Sequence, residues 1–167
     1  MPAVVAVLAQ VRESGHAAAD VFAGTPYARL MRYDHIPART VRFWAWLDSA
    51  VTWMLALPPL APQFIATLYW LNGLLGGNPV APTFEPIHLL FVCLTGALVS
   101  VWVVARLLHP VGLFAVIDGW ARLYVALVLV WFIVGLGGPP VLWLFVFTEG
   151  AGTVAQLRAA YRSRGPA

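Results

Sequence analysis

Residues 87–107 read IHLLFVCLTGALVSVWVVARL, an apolar run whose one formal charge, Arg106, stands beside its end. As an α-helix such a run is about 30 Å long, the thickness of the hydrocarbon core of a bilayer. Three comparable runs flank it. Residues 41–57 begin with Phe43, Trp44 and Trp46, which are expected at a membrane interface, where amphipathic rings prefer to sit. Pro58, Pro59 and Pro62 then stop the run. Residues 112–134 follow a short turn holding His109 and Pro110, and residues 141–157 follow the uncharged turn 135–140. The stretch 63–75 lies between Pro62 and the Gly76-Gly77 pair and is too short to span, so an interfacial or re-entrant helix on the extracytoplasmic side is expected. The expected fold is thus an all-α integral membrane protein, a four-helix transmembrane bundle of spans 41–57, 87–107, 112–134 and 141–157.

Composition excludes most alternatives. Hydrophobic residues make up 61% of the 167-residue chain, charged residues 10%, and the mean hydropathy is +0.81; soluble domains carry about a quarter charged residues. The net charge of +3 comes from arginine alone, since the sequence has no lysine. With its abundant Ala, Val, Gly and Pro, this usage suggests a GC-rich bacterial genome. The arginines flank apolar runs instead of forming a basic face, which argues against a nucleic-acid partner and for membrane orientation by the positive-inside rule. Arg106, Arg158, Arg162 and Arg164 then assign the 106–111 turn and the 158–167 tail to the cytoplasm. Residues 1–40, with Arg12, Arg29, Arg32 and Arg39, form an N-terminal cytoplasmic or interfacial segment, and Tyr27 to Tyr33 mixes basic and apolar groups as an interfacial helix does. The expected location is the bacterial inner membrane with both termini cytoplasmic. Ala3 to Ala9 is preceded by no charge, so no cleaved signal is expected. Cys93 is the only cysteine, which rules out an intrachain disulfide and a cysteine zinc site. His16 with Asp20, and His35 beside Asp34, read as solvated polar pairs. No metal and no cofactor is implied.

Ionisable groups inside a spanning helix are costly and mark a site by default. Asp48, Asp118 and Glu149 fall roughly 10 Å, and Arg122 roughly 15 Å, from the cytoplasmic helix ends, one layer drawn from three helices. Asp118 and Arg122 are four apart on one helix face and are expected to pair. Asp48 and Glu149 then compete for a single guanidinium. Two uses stay open: a lock between helices, or a working site for a proton, cation or head group. Ala45 with Ser49, and Gly96 with Ser100, have the small-xxx-small spacing of packed membrane helices, and Gly150 and Gly152 follow Glu149.

The run Asp118-Gly119-Trp120-Ala121-Arg122 resembles the opening of the CDP-alcohol phosphotransferase signature, a family that transfers a phosphoalcohol on aspartate-held metals. One residue separates the Asp-Gly and Ala-Arg pairs where that family has two, and no second aspartate pair follows, so the activity is not carried over. At the level of span number alone the arrangement is similar to DoxX-like membrane proteins. Three function classes follow, in this order: an accessory, scaffold or assembly subunit of a larger membrane complex; a small oligomeric proton- or cation-linked transporter; a lipid- or quinone-modifying membrane enzyme. The partners expected are the lipid bilayer and other membrane subunits or copies of the chain.

Overall fold

A computed structural model describes residues 33–162, which are helical without strands. The helices are α1 (Ala38–Ala56), α2 (Ala61–Leu74), α3 (Pro86–Leu108), α4 (Gly112–Val130) and α5 (Leu142–Arg162), with a π-helical turn, Trp131–Gly135, continuing α4. The lead-in to residue 32, with its interfacial segment and the His16–Asp20 pair, and the tail beyond residue 162 lie outside the described residues.

Proline sets most of the ends. Pro37 is the N-cap of α1, so that helix starts inside the expected lead-in, and Pro58 and Pro59 prevent its continuation. Proline also occupies the first turns of α2 and α3, where its missing N–H costs no hydrogen bond. Between α1 and α2 the axis bends by 116°. The end of α2 closes with Gly76 at φ 84°: Gly76 N–H donates to Gly73 O (3.1 Å) and Gly77 N–H to Asn72 O (2.9 Å), a Schellman arrangement that needs a residue without Cβ. α5 runs on past the expected stop at Leu157 to Arg162.

The helices pack as two antiparallel pairs. α1 lies along α3, and α4 along α5, while contacts between the pairs are sparse. Small residues decide both pairings. A Cβ on Gly96 of α3 would stand 2.5 Å from the Ala56 nitrogen of α1, and one on Gly119 of α4 would stand 2.9 Å from Leu157 Cδ2 of α5. At one end the pairs meet in an apolar core of Ile36, Val41, Ala115, Val116 and Ala160. At the other, the buried Asn72 of α2 accepts from Val141 N–H (2.9 Å) and donates to Asn78 O (2.9 Å), tying α2 to the start of α5.

Among the described residues two helices, α3 and α4 with its π turn, are long and apolar enough to cross a membrane, or three spans if bent α1–α2 counts as one. This is fewer than the four expected. α1 contains Arg39, Arg42 and Asp48, and α5 contains Glu149, Gln156 and Arg158, and these polar groups lower the apolarity of both helices.

Candidate functional site

The polar layer expected from the sequence is one connected cluster, and it has two guanidiniums instead of one. Arg122 of α4 donates from Nε to Asp118 Oδ2 on its own helix (2.8 Å), from Nη1 to Glu149 Oε2 of α5 (3.1 Å), and from Nη2 to Asp48 Oδ2 of α1. Arg106 of α3 donates from Nη2 to the same Asp48 oxygen (2.5 Å) and brings Nη1 within 2.8 Å of Asp118 Oδ2. The sequence reading placed Arg106 in a cytoplasmic turn as an orientation marker. In the structure it is 1% exposed, because the last turn of α3 faces α1 and α4 instead of solvent. Asp48 and Glu149 therefore do not compete for one cation: Asp48 sits between both arginines, and Glu149 meets Arg122 alone.

Asp118 anchors the cluster. Besides the hydrogen bond from Arg122 and the ion pair with Arg106, its carboxylate accepts from Trp102 Nε1 (2.9 Å, Oδ1) and from Gln156 Nε2 (2.7 Å, Oδ2). The guanidiniums are also covered by rings, Arg106 lying 5.5 Å from the Trp102 centroid and Arg122 5.2 Å from that of Trp44. Trp44, expected at an interface, is buried; Phe43 and Trp46 face outward. Arg106, Trp102, Gln156 and the inward Trp44 belong to the cluster beyond the four residues expected from the sequence. Helical spacing carried the signal. Gly96, Val103 and Arg106 lie on one face of α3, Glu149 and Gln156 are two turns apart on α5, and Trp44 precedes Asp48 by four residues.

Three polar links between the α1–α3 and α4–α5 pairs run through these side chains. Asp48–Arg106 lies within the α1–α3 pair, and Asp118–Arg122–Glu149 within the α4–α5 pair. Arg106–Asp118, Trp102–Asp118 and Arg122–Asp48 cross between them. The expected packing residues divide. Ala45 is fully buried, Gly96 meets α1, and Ser100 Oγ donates to Gly96 O (2.8 Å), while Ser49 is half-buried. Gly152 admits Arg122, whose Cδ would lie 2.7 Å from a Cβ there. Around Gly150 nothing lies within 4 Å of such a Cβ, so it makes no close helix contact.

On the side of the cluster away from the apolar core a cavity of about 460 Å³ opens between the pairs. Its walls are apolar, with Val51, Val99, Val125, Leu144 and Phe145 among them, and its floor is Asp48, Arg106, Asp118, Arg122 and Glu149. Among the described residues no group of three or more His, Cys, Asp or Glu is placed to hold a metal ion. No protein-family model, curated protein or solved structure matches the chain.

Proposed function

We propose that the chain is a multi-pass protein of a bacterial inner membrane, with α1, α3, α4 and α5 crossing the bilayer, and that it serves as an accessory, scaffold or assembly subunit of a larger membrane complex. The observation that carries this reading is α3. Only 11% of its most apolar stretch is buried, and Phe91, Leu94, Leu98 and Val101 stand exposed along it. A face of this kind is covered by lipid or by another apolar helix. Of the polar groups that lower the apolarity of α1 and α5, Asp48, Glu149 and Gln156 point inward, and Arg39, Arg42 and Arg158 lie near the helix ends. Glu149 meets Arg122, Gln156 meets Asp118, and Thr153 Oγ donates to Glu149 O (2.9 Å), so each of these groups has a partner within the protein, which suits a bilayer.

Charge asymmetry supports cytoplasmic ends even with Arg106 withdrawn into the cluster. Arg39 and Arg42 at the start of α1 and Arg158 near the end of α5 are exposed at the end where the apolar core lies, and residues 57–105 and 123–157 hold no arginine or lysine. A second reading, proton- or cation-linked transport, is favoured by the charge sum of the cluster: three carboxylates against two guanidiniums leave −1. Purification from native membranes in a mild detergent after brief cross-linking separates the two. The subunit reading expects a second membrane polypeptide at fixed stoichiometry. A uniform homo-oligomer with no partner would contradict it and favour transport.

A further inference from the structure

The cluster does not close on itself. Of its carboxylate oxygens, Asp48 Oδ1 and Glu149 Oε1 accept no hydrogen bond from any described residue, and these two acids keep the most exposed side chains of the group, 16% and 19%. Arg106 is 1% exposed; its Nε has no acceptor, and its Nη1, although 2.8 Å from Asp118 Oδ2, makes no hydrogen bond. With three acids and two arginines the cavity floor carries a formal −1, in surroundings where an uncompensated charge is costly. The walls above the floor are apolar, and about 460 Å³ falls within the range of small-molecule sites, roughly 300–1,000 Å³.

From this cavity and its unbalanced floor we infer a binding site for an amphiphile that carries a primary ammonium group on an apolar body, the ammonium lying between Asp48 and Glu149 and the body against Val99, Val125 and Leu144. An ammonium brings the missing positive charge and three N–H donors for the two spare oxygens. A carboxylate or phosphate alone would add to the negative sum, and an uncharged alcohol would leave that sum unchanged. The ammonium has two sources, a free lipophilic amine, which brings a net +1, and the ethanolamine head of a membrane lipid, which places its ammonium on the floor with its phosphate outside the cluster. Both enter from the hydrocarbon layer, so the site rests on the helices lying in lipid. It does not depend on the chain having a protein partner.

The test is equilibrium dialysis of radiolabelled decylamine, 1-decanol and decanoate against the purified protein in detergent, with protein-free micelles subtracted. Short-chain phosphatidylethanolamine is the fourth ligand. Saturable binding of one decylamine per chain is expected, at least tenfold tighter than decanol and decanoate, and weakened at least tenfold in Glu149→Gln. Ala121→Trp fills the cavity without touching a charge and is expected to abolish binding while leaving the elution profile unchanged, which covers the case in which Glu149→Gln misfolds. Tighter binding of the phosphatidylethanolamine than of decylamine assigns the site to lipid, and the reverse assigns it to free amines. Equal binding of amine and carboxylate, or binding unchanged by Ala121→Trp, would overturn the inference. The proposed subunit role would be untouched, since partner co-purification reads it separately.

Discussion

Replacing Arg122 by leucine removes the one side chain that meets all three acids of the cluster. The sum on the buried groups goes from −1 to −2, and Arg106 is left as the sole cation for Asp48, Asp118 and Glu149. Breaking a buried ion pair by deleting one partner costs about 3–5 kcal/mol, which is between about a hundredfold and a few thousandfold in the ratio of folded to unfolded protein. The informative companion is Arg122→Leu/Glu149→Leu. Among the described residues Arg122 is the only side chain that binds the Glu149 carboxylate, whereas Asp118 also holds Arg106, Trp102 and Gln156. Removing Glu149 with Arg122 therefore restores the sum to −1 and orphans nothing new, while removing Asp118 would strand an indole N–H and an amide. The double variant is expected to regain at least about 1 kcal/mol over Arg122→Leu, although it has lost one more polar group. Denaturant titration in detergent, followed by tryptophan fluorescence, measures four proteins: wild type, Arg122→Leu, Glu149→Leu and the double variant. If the double variant were less stable than Arg122→Leu by the cost of Glu149→Leu alone, the two groups would not be coupled and the cluster would not join the helices as described.

The two glycines after Glu149 are expected to respond with opposite signs. Gly150→Ala enters open space and gains helix propensity, so stability rises by about 1 kcal/mol or less. Gly152→Ala puts a methyl against Arg122 Cδ, which three carboxylates hold in place, and costs about 1–3 kcal/mol; the same titration reads both. Asn72→Ala leaves the Val141 N–H and the Asn78 carbonyl without their partner and is expected to cost about 1–3 kcal/mol, with faster hydrogen exchange confined to the start of α5.

The local features were legible in the sequence because their causes are local. Proline placement fixes the ends of α1, α2 and α3, and the four-residue spacing of Asp118 and Arg122 puts them in contact along one helix. Asp48 and Glu149 could be assigned to the same layer because depth along a helix follows from residue count. Arg106 was hidden by its neighbours. Three residues before His109 and four before Pro110, it reads as an end charge, and only the face it shares with Gly96 and Val103 turns it inward. The pairing of α1 with α3 and of α4 with α5 is set by backbone approach at Gly96 and Gly119. No single helix records which partner it will meet. The cavity was not legible at all, because it is the space left where the two pairs diverge beyond the cluster.

The claim that the cluster lies within a membrane-crossing bundle is tested most directly by side-specific labelling of single cysteines in a Cys93→Ser background. Cysteines at Asn78 and Gly137, on the two turns beside α2, and at His109 and Arg158, at the opposite end, would be exposed in right-side-out and inverted vesicles to a reagent that does not cross lipid. The account predicts that positions 109 and 158 react only in inverted vesicles and positions 78 and 137 only in right-side-out ones. Reaction of positions 78 and 109 from the same side would mean that α3 does not cross, and would contradict it.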